Sequence, residues 1–96
     1  MLILTTLNQG ELHGYAIADR IKVVSRDILE IDEGSLYPAL QRMLARGWIK
    51  ARWGASENNR RARYYKLTPK GRRQLDDEVS SFERLAGAIF RVVRSG

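Results

Sequence analysis

GWIKARWGASENNRRARYYKLTP, residues 47–69, is the stretch that decides the fold. Its apolar residues recur with a period near two, whereas the chain before it repeats at 3.6. Trp48-Ile49-Lys50-Ala51-Arg52-Trp53 alternates bulky apolar with basic or small side chains for part of its length, as a half-buried strand does. Ala62-Arg63-Tyr64-Tyr65-Lys66-Leu67 predicts a second strand, with aromatic side chains that suit a pleated surface. Gly54 to Arg61 between them is polar and predicts the turn of a β-hairpin. Thr68 then caps a last helix, with Pro69 in the first helical position where a missing N–H costs little. That helix is expected to run to about Arg94.

Upstream of the hairpin the spacing predicts three helices. Met1–Leu7 is a short apolar helix stopped by Asn8-Gln9-Gly10, residues that favour a left-handed ending. His13 to about Ser25 carries Ile17, Ile21 and Val24 at steps of four and three. Ile28 to Ile31 is a short extended link. Asp32 is a good N-cap, Glu33 suits the positive end of the helix dipole, and Leu36, Leu40, Met43 and Leu44 share one face until Gly47 ends the helix. The fold class expected is mainly α with a small β-hairpin (α+β): a winged helix-turn-helix over residues 1–67, followed by a long C-terminal helix over residues 68–96.

Charge is concentrated in and around the same stretch. The chain has 96 residues and a net charge of +6. Residues 1–41 hold 3 basic and 6 acidic side chains, a net of −3, and residues 74–96 hold 3 and 4, a net of −1. Residues 42–73 hold 11 basic side chains and one acidic one, Glu57, a net of +10. One such block, rather than a general bias, predicts contact with a phosphate polyanion. Cysteine is absent, so there is no disulfide framework and no thiolate metal site. The lone His13 has no companions at ligand spacing and reads as a helix-start or packing residue. No cofactor is implied. Without a paired carboxylate and base, a nucleophile motif or a Gly-rich phosphate loop, the chain reads as a non-enzyme. No long apolar run points to a membrane, and the expected location is the cytoplasm.

In a winged helix-turn-helix the third helix enters the major groove. Ser35, Tyr37, Pro38, Gln41 and Arg42 are expected on its side away from Leu36 and Leu40. Gln can pair with adenine edges and Arg with guanine edges. The wing is expected to contribute Asn58, Asn59, Arg60, Arg61 and Arg63 to phosphates or a narrow minor groove, although Asn is also common in turns for backbone reasons. Trp48 and Trp53 should fall on opposite faces of their strand, one in the core and one exposed. Tyr64 and Tyr65 should split in the same way. On the last helix Leu75, Val79, Phe82, Ala86, Ile89 and Val93 are spaced 4, 3, 4, 3, 4, a heptad-like seam that predicts pairing with a second copy. Asp76-Asp77-Glu78 reads as solvated surface.

His13-Gly14-Tyr15, Glu33-Gly34-Ser35-Leu36-Tyr37-Pro38-Ala39-Leu40, Gly47-Trp48-Ile49 and Arg61-Ala62-Arg63-Tyr64-Tyr65-Lys66-Leu67-Thr68-Pro69-Lys70-Gly71 resemble the PadR family of bacterial transcriptional regulators. Ala51 to Arg61 is similar to its acidobacterial-type subgroup. The resemblance covers nearly the whole chain. It implies a homodimeric repressor on a short palindromic operator in double-stranded DNA, touched by the third helix and the wing. Members usually carry several more residues before the segment that starts here at Met1-Leu2-Ile3-Leu4, which implies a shortened first helix. Two other readings use the same residues. One is a non-specific nucleic-acid binder. The other is a sensor whose dimer interface takes a planar aromatic effector, with Phe82 and Phe90 available to stack.

Overall fold

Three of the four helices begin where a side chain takes over a backbone amide that would otherwise lack a partner. The computed structural model describes residues 1–96 and has the order α1 (Leu2–Leu7), β1 (Leu12–His13), α2 (Gly14–Val24), α3 (Glu33–Ala45), β2 (Ile49–Ala55), β3 (Arg61–Leu67), α4 (Pro69–Ser95). The Ala16 amide donates to His13 Nδ1 at 3.2 Å and starts α2. The Ser35 amide donates to Asp32 Oδ1 at 2.7 Å and starts α3. The Gly71 amide donates to Thr68 Oγ1 at 3.0 Å and starts α4.

Helix α3 stops at Gly47, whose φ of 73° suits glycine. The Gly47 amide donates to the Leu44 carbonyl and the Trp48 amide to the Met43 carbonyl, each at 3.0 Å, which completes a Schellman turn. The same turn is bolted to the start of α4. Thr68 Oγ1 donates to the Gly47 carbonyl at 2.6 Å, and the Thr68 amide donates to the Trp48 carbonyl at 3.0 Å. At this junction Gly71 admits no side chain, because a Cβ there would lie 1.9 Å from the Trp48 carbonyl oxygen.

The hairpin is one strand larger than its sequence suggests. The sheet has three antiparallel strands in the order β1-β3-β2, with Leu12 opposite Tyr65 and His13 opposite Tyr64. A two-residue strand is too short for any alternation to show. The turn is also tighter than expected, since the strands continue to Ala55 and Arg61. Gly54, which looks like a turn residue, pairs with Ala62 across the ladder, and the Arg52 guanidinium and Tyr64 ring crowd the space a Gly54 side chain would occupy.

The core is formed by Leu4, Ile17, Leu36 and Leu40, all buried almost completely, with Ile3, Leu7, Ile21, Ile49, Tyr65 and Leu75 around them. It therefore draws on all four helices and on β2 and β3. Burying side chains of this kind stabilises a fold by about 1.5–3 kcal/mol each. Helix α4 has 27 residues, about 40 Å at the helical rise. Only its first turns join the core, and the molecule extends 56 Å along its longest axis. Glu78 departs from the solvated acidic patch expected of it. It is partly covered, accepts from Gln74 Nε2 at 2.8 Å and pairs with the Met1 amine.

Candidate nucleic-acid interface

Helix α3 presents Ser35, Tyr37, Pro38, Gln41 and Arg42 to solvent, while Leu36 and Leu40 are buried beneath them. The 3.6 period explains this division, and the Asp32 cap fixes where it starts. Pro38 lies inside the helix on its exposed side. Its missing N–H leaves the Gly34 carbonyl without an intrahelical donor, and Gly34 is itself exposed to water. Tyr37 is less free than the other four. Its ring lies against Gly14 at the start of α2, and it is 44% exposed.

The wing sorts its arginines by strand parity. Side chains on one face of β2 and β3 are Ile49, Ala51, Trp53, Ala55, Arg61, Arg63, Tyr65 and Leu67. The foot of that face is core. Beyond it Trp53 stands exposed, opposite Arg63. Arg61 Cζ is 4.5 Å from the Trp53 ring centroid, and Arg63 Cζ is 5.9 Å from both the Trp53 and Tyr65 rings. Arg61 thus belongs to a strand and not to the turn. Arg60 remains in the turn, exposed and without an acidic partner.

Asn59 has a backbone duty. Its φ is 57°, its amide donates to the Ser56 carbonyl at 2.9 Å, and the Ser56 amide donates to the Arg60 carbonyl at 2.8 Å. This is a three-residue hairpin loop that needs one left-handed residue, a position Asn tolerates well. Asn58 is exposed beside it.

The opposite face of the hairpin carries a different set. Arg52 donates to Glu11 through Nε at 3.0 and 3.1 Å and stacks over Tyr64 at 5.0 Å. Tyr64 also meets His13 edge-on at 5.6 Å and donates its hydroxyl to the Ala55 carbonyl at 2.8 Å. Glu11 is held below the usual carboxylate range, first by the Arg52 hydrogen bonds, against partial desolvation, and then by the charges of Arg52 and Lys66. Lys50 and Lys66 sit directly opposite one another, and with Arg72 they line an open cleft at the foot of the sheet. The basic block is therefore divided among α3, two faces of the wing and the start of α4.

The six residues of the expected seam on α4 do not share one environment. Leu75 is 5% exposed and Val79 packs against the core. Phe82, Ile89 and Val93 are exposed, and Ala86 lies between them, partly covered. Leu85, Phe90 and Val92 extend the exposed apolar surface. No helix is long and apolar enough to cross a membrane.

Comparison with known proteins matches this geometry. The model of the transcriptional regulator PadR-like family matches residues 3–77. A transcriptional regulator from Clostridium thermocellum superposes with a TM-score of 0.85 at 30% identity, covering 94% of this chain and 87% of that one. Bacillus subtilis PadR, solved in complex with operator DNA, superposes with a TM-score of 0.72 at 28% identity, covering 81% of this chain and 43% of that one. A 37.1 kDa protein in transposon TN4556 of Streptomyces fradiae is 41% identical over 90 residues. That match covers 94% of this chain, which spans only 24% of the transposon protein.

Proposed function

Because the chain belongs to the PadR-like family of transcriptional regulators, DNA-binding proteins rather than enzymes, we propose that it is a repressor that binds a palindromic operator as a homodimer. Helix α3 reads base edges through Ser35, Tyr37, Pro38, Gln41 and Arg42. The wing holds the phosphate backbone or minor groove through Arg60, Arg61 and Arg63, with Asn58 beside them and Asn59 shaping the loop. The observation that carries this reading is the junction between the two. The Gly47 turn that ends α3 also starts the wing, and it is fixed to α4 through Thr68. Helix and wing then present themselves to DNA as one rigid unit, and Arg60, Arg61 and Arg63 have no acidic partners. The complex of Bacillus subtilis PadR with operator DNA gives the precedent for such a unit on a duplex.

The second half of α4 supplies the dimer. Six of the fourteen large apolar side chains that the chain leaves exposed lie between Phe82 and Val93. A second copy covering them sets two α3 helices about one DNA turn apart, ~34 Å. The first half of the seam, Leu75 and Val79, serves the protomer's own core. Such a protein works where the chromosome is, in the cytoplasm.

Two measurements test the reading. Selection from a random duplex pool is expected to return an inverted repeat, and light scattering is expected to give twice the 11.0 kDa chain mass. A pool that enriches no motif overturns the operator reading. A monomer at micromolar concentration overturns the dimer.

A further inference from the structure

Trp53 has no core contact to explain it. It is 57% exposed, it sits on the wing, and no sequence motif of the DNA-reading surface requires it. Its neighbours are two cations. Arg63 faces it directly across the ladder and Arg61 lies on the diagonal, with their Cζ atoms 5.9 and 4.5 Å from the ring centroid. Two guanidinium groups on alternate residues of one strand start about 6.6 Å apart and repel one another. No carboxylate pairs with either of them. Strand alternation puts both on one side of the sheet, and the indole π-face is what holds their guanidinium groups near one another there.

The manner of holding matters, because a guanidinium offers its N–H groups around its edge and its face to aromatic rings. A carboxylate partner occupies the edge. A stacked ring occupies the face and leaves the edge free. Arg52 shows the first arrangement, its edge taken by Glu11 even though it also stacks on Tyr64. Arg61 and Arg63 lie over the Trp53 ring with no carboxylate or hydrogen-bond partner at the edge. Arg60, in the turn, stacks on no ring and pairs with no acid, so it must be ordered when it binds.

We propose that Trp53 is a positioning residue for DNA binding: its indole holds the guanidinium groups of Arg61 and Arg63, which the strand register places on one face of the wing, as a preset pair with free N–H edges for successive backbone phosphates. The inference rests on the DNA-binding reading above and goes beyond it in two ways. It assigns a residue outside the expected contact set, and it ranks Arg61 and Arg63 above Arg60.

The test uses the full chain and a labelled duplex carrying the selected operator, with anisotropy titrations over a salt series. Trp53→Leu keeps apolar bulk and removes the π-face. Trp53→Tyr keeps a π-face. Leu is expected to weaken binding about fivefold with an unchanged melting temperature, and Tyr about twofold or less. Arg60→Ala is expected to cost less than Arg61→Ala or Arg63→Ala. In an Arg61→Ala/Arg63→Ala background Trp53→Leu is expected to have no further effect. Arg61→Lys/Arg63→Lys leaves Trp53 untouched, so it carries the test even if Trp53→Leu does not fold. Lysine keeps the charge but has neither a flat face to stack nor a forked edge, and the loss should equal or exceed that of Trp53→Leu. The inference is overturned by wild-type affinity in Trp53→Leu or in the double lysine variant. Equal losses for Leu and Tyr overturn it too, as does an undiminished Leu effect in the double alanine background. If the unaltered chain binds no duplex, the DNA-binding reading falls and this inference falls with it. If the unaltered chain binds and the variants match it, this inference alone falls.

Discussion

Helix α3 and the wing are neighbours along the chain, yet their exposed surfaces are built differently. The outer face of α3 carries a serine, a tyrosine, a proline, a glutamine and an arginine, all different in shape and hydrogen-bonding pattern. The wing repeats one group, with Arg61 and Arg63 gathered around Trp53 and Arg60 exposed in the turn beside them. A varied surface can distinguish base edges, whereas a repeated guanidinium recognises what every duplex shares. On the DNA-binding function proposed above, the two regions divide the work of binding, α3 supplying choice and the wing supplying affinity. Their shared junction at Gly47, Trp48 and Thr68 makes the division useful, because each fixes the position of the other.

The largest expected effect comes from separating the two copies of the proposed dimer. Phe82→Glu with Ile89→Glu places charge on the exposed half of α4. It should produce a monomer by light scattering and lower operator affinity by roughly 10²–10⁴-fold through loss of the second half-site. The loss should fall unevenly. Preference for an inverted repeat depends on two helices and disappears, while salt-dependent binding to any duplex depends on the wing and remains. A monomer that still prefers the inverted repeat breaks the comparison.

Gly71→Ala attacks the junction itself. Its new Cβ meets the Trp48 carbonyl at 1.9 Å, a backbone contact that only a shift of α4 or of the turn relieves. Overpacking of this kind costs about 1–3 kcal/mol, readable as a lowered midpoint in thermal or urea unfolding. Both specificity and affinity should suffer together, unlike in any substitution on a single region. An unchanged midpoint would show that the junction is not rigid.

The smallest effect concerns the back of the wing. Glu11 has its carboxyl pKa lowered by Arg52, so its contribution to stability is present above the ordinary value of 4.5 and is lost as pH falls through the lowered one. Glu11→Gln should flatten that acid-side loss in melting temperature and leave the neutral-pH operator preference alone. An unchanged acid slope would show that the Glu11–Arg52 pair does not contribute to folding.

Much of this arrangement is legible from local residue chemistry. Asp32, Thr68 and Gly47 are caps and stops whose effects lie within a few residues, and each acts where the sequence places it. His13, alone in the sequence, is a helix start that also packs on Tyr64. The features that were not legible depend on partners distant in the chain. Strand β1 exists because the outer edge of β3 is free to pair with Leu12 and His13. Arg61 moves from the turn to the strand because the β2–β3 ladder continues as far as its pairing with Ala55. The seam on α4 is periodic throughout, but only the packing of the core, α1 included, against its start decides that Leu75 belongs to the core and Phe82 does not. The stack of Arg61 and Arg63 on Trp53 follows from strand register, which periodicity alone does not specify.

The central claim is the division between choice and affinity. One experiment compares Gln41→Ala with Arg61→Ala/Arg63→Ala, each titrated on operator and on scrambled duplex at several salt concentrations. Gln41→Ala is expected to lose about 1–3 kcal/mol of operator preference with its salt slope unchanged. The double arginine variant is expected to weaken on both duplexes alike, with the logarithmic salt slope reduced by about 2. Equal weakening of both duplexes by Gln41→Ala, or an unchanged salt slope in the arginine variant, would contradict the account.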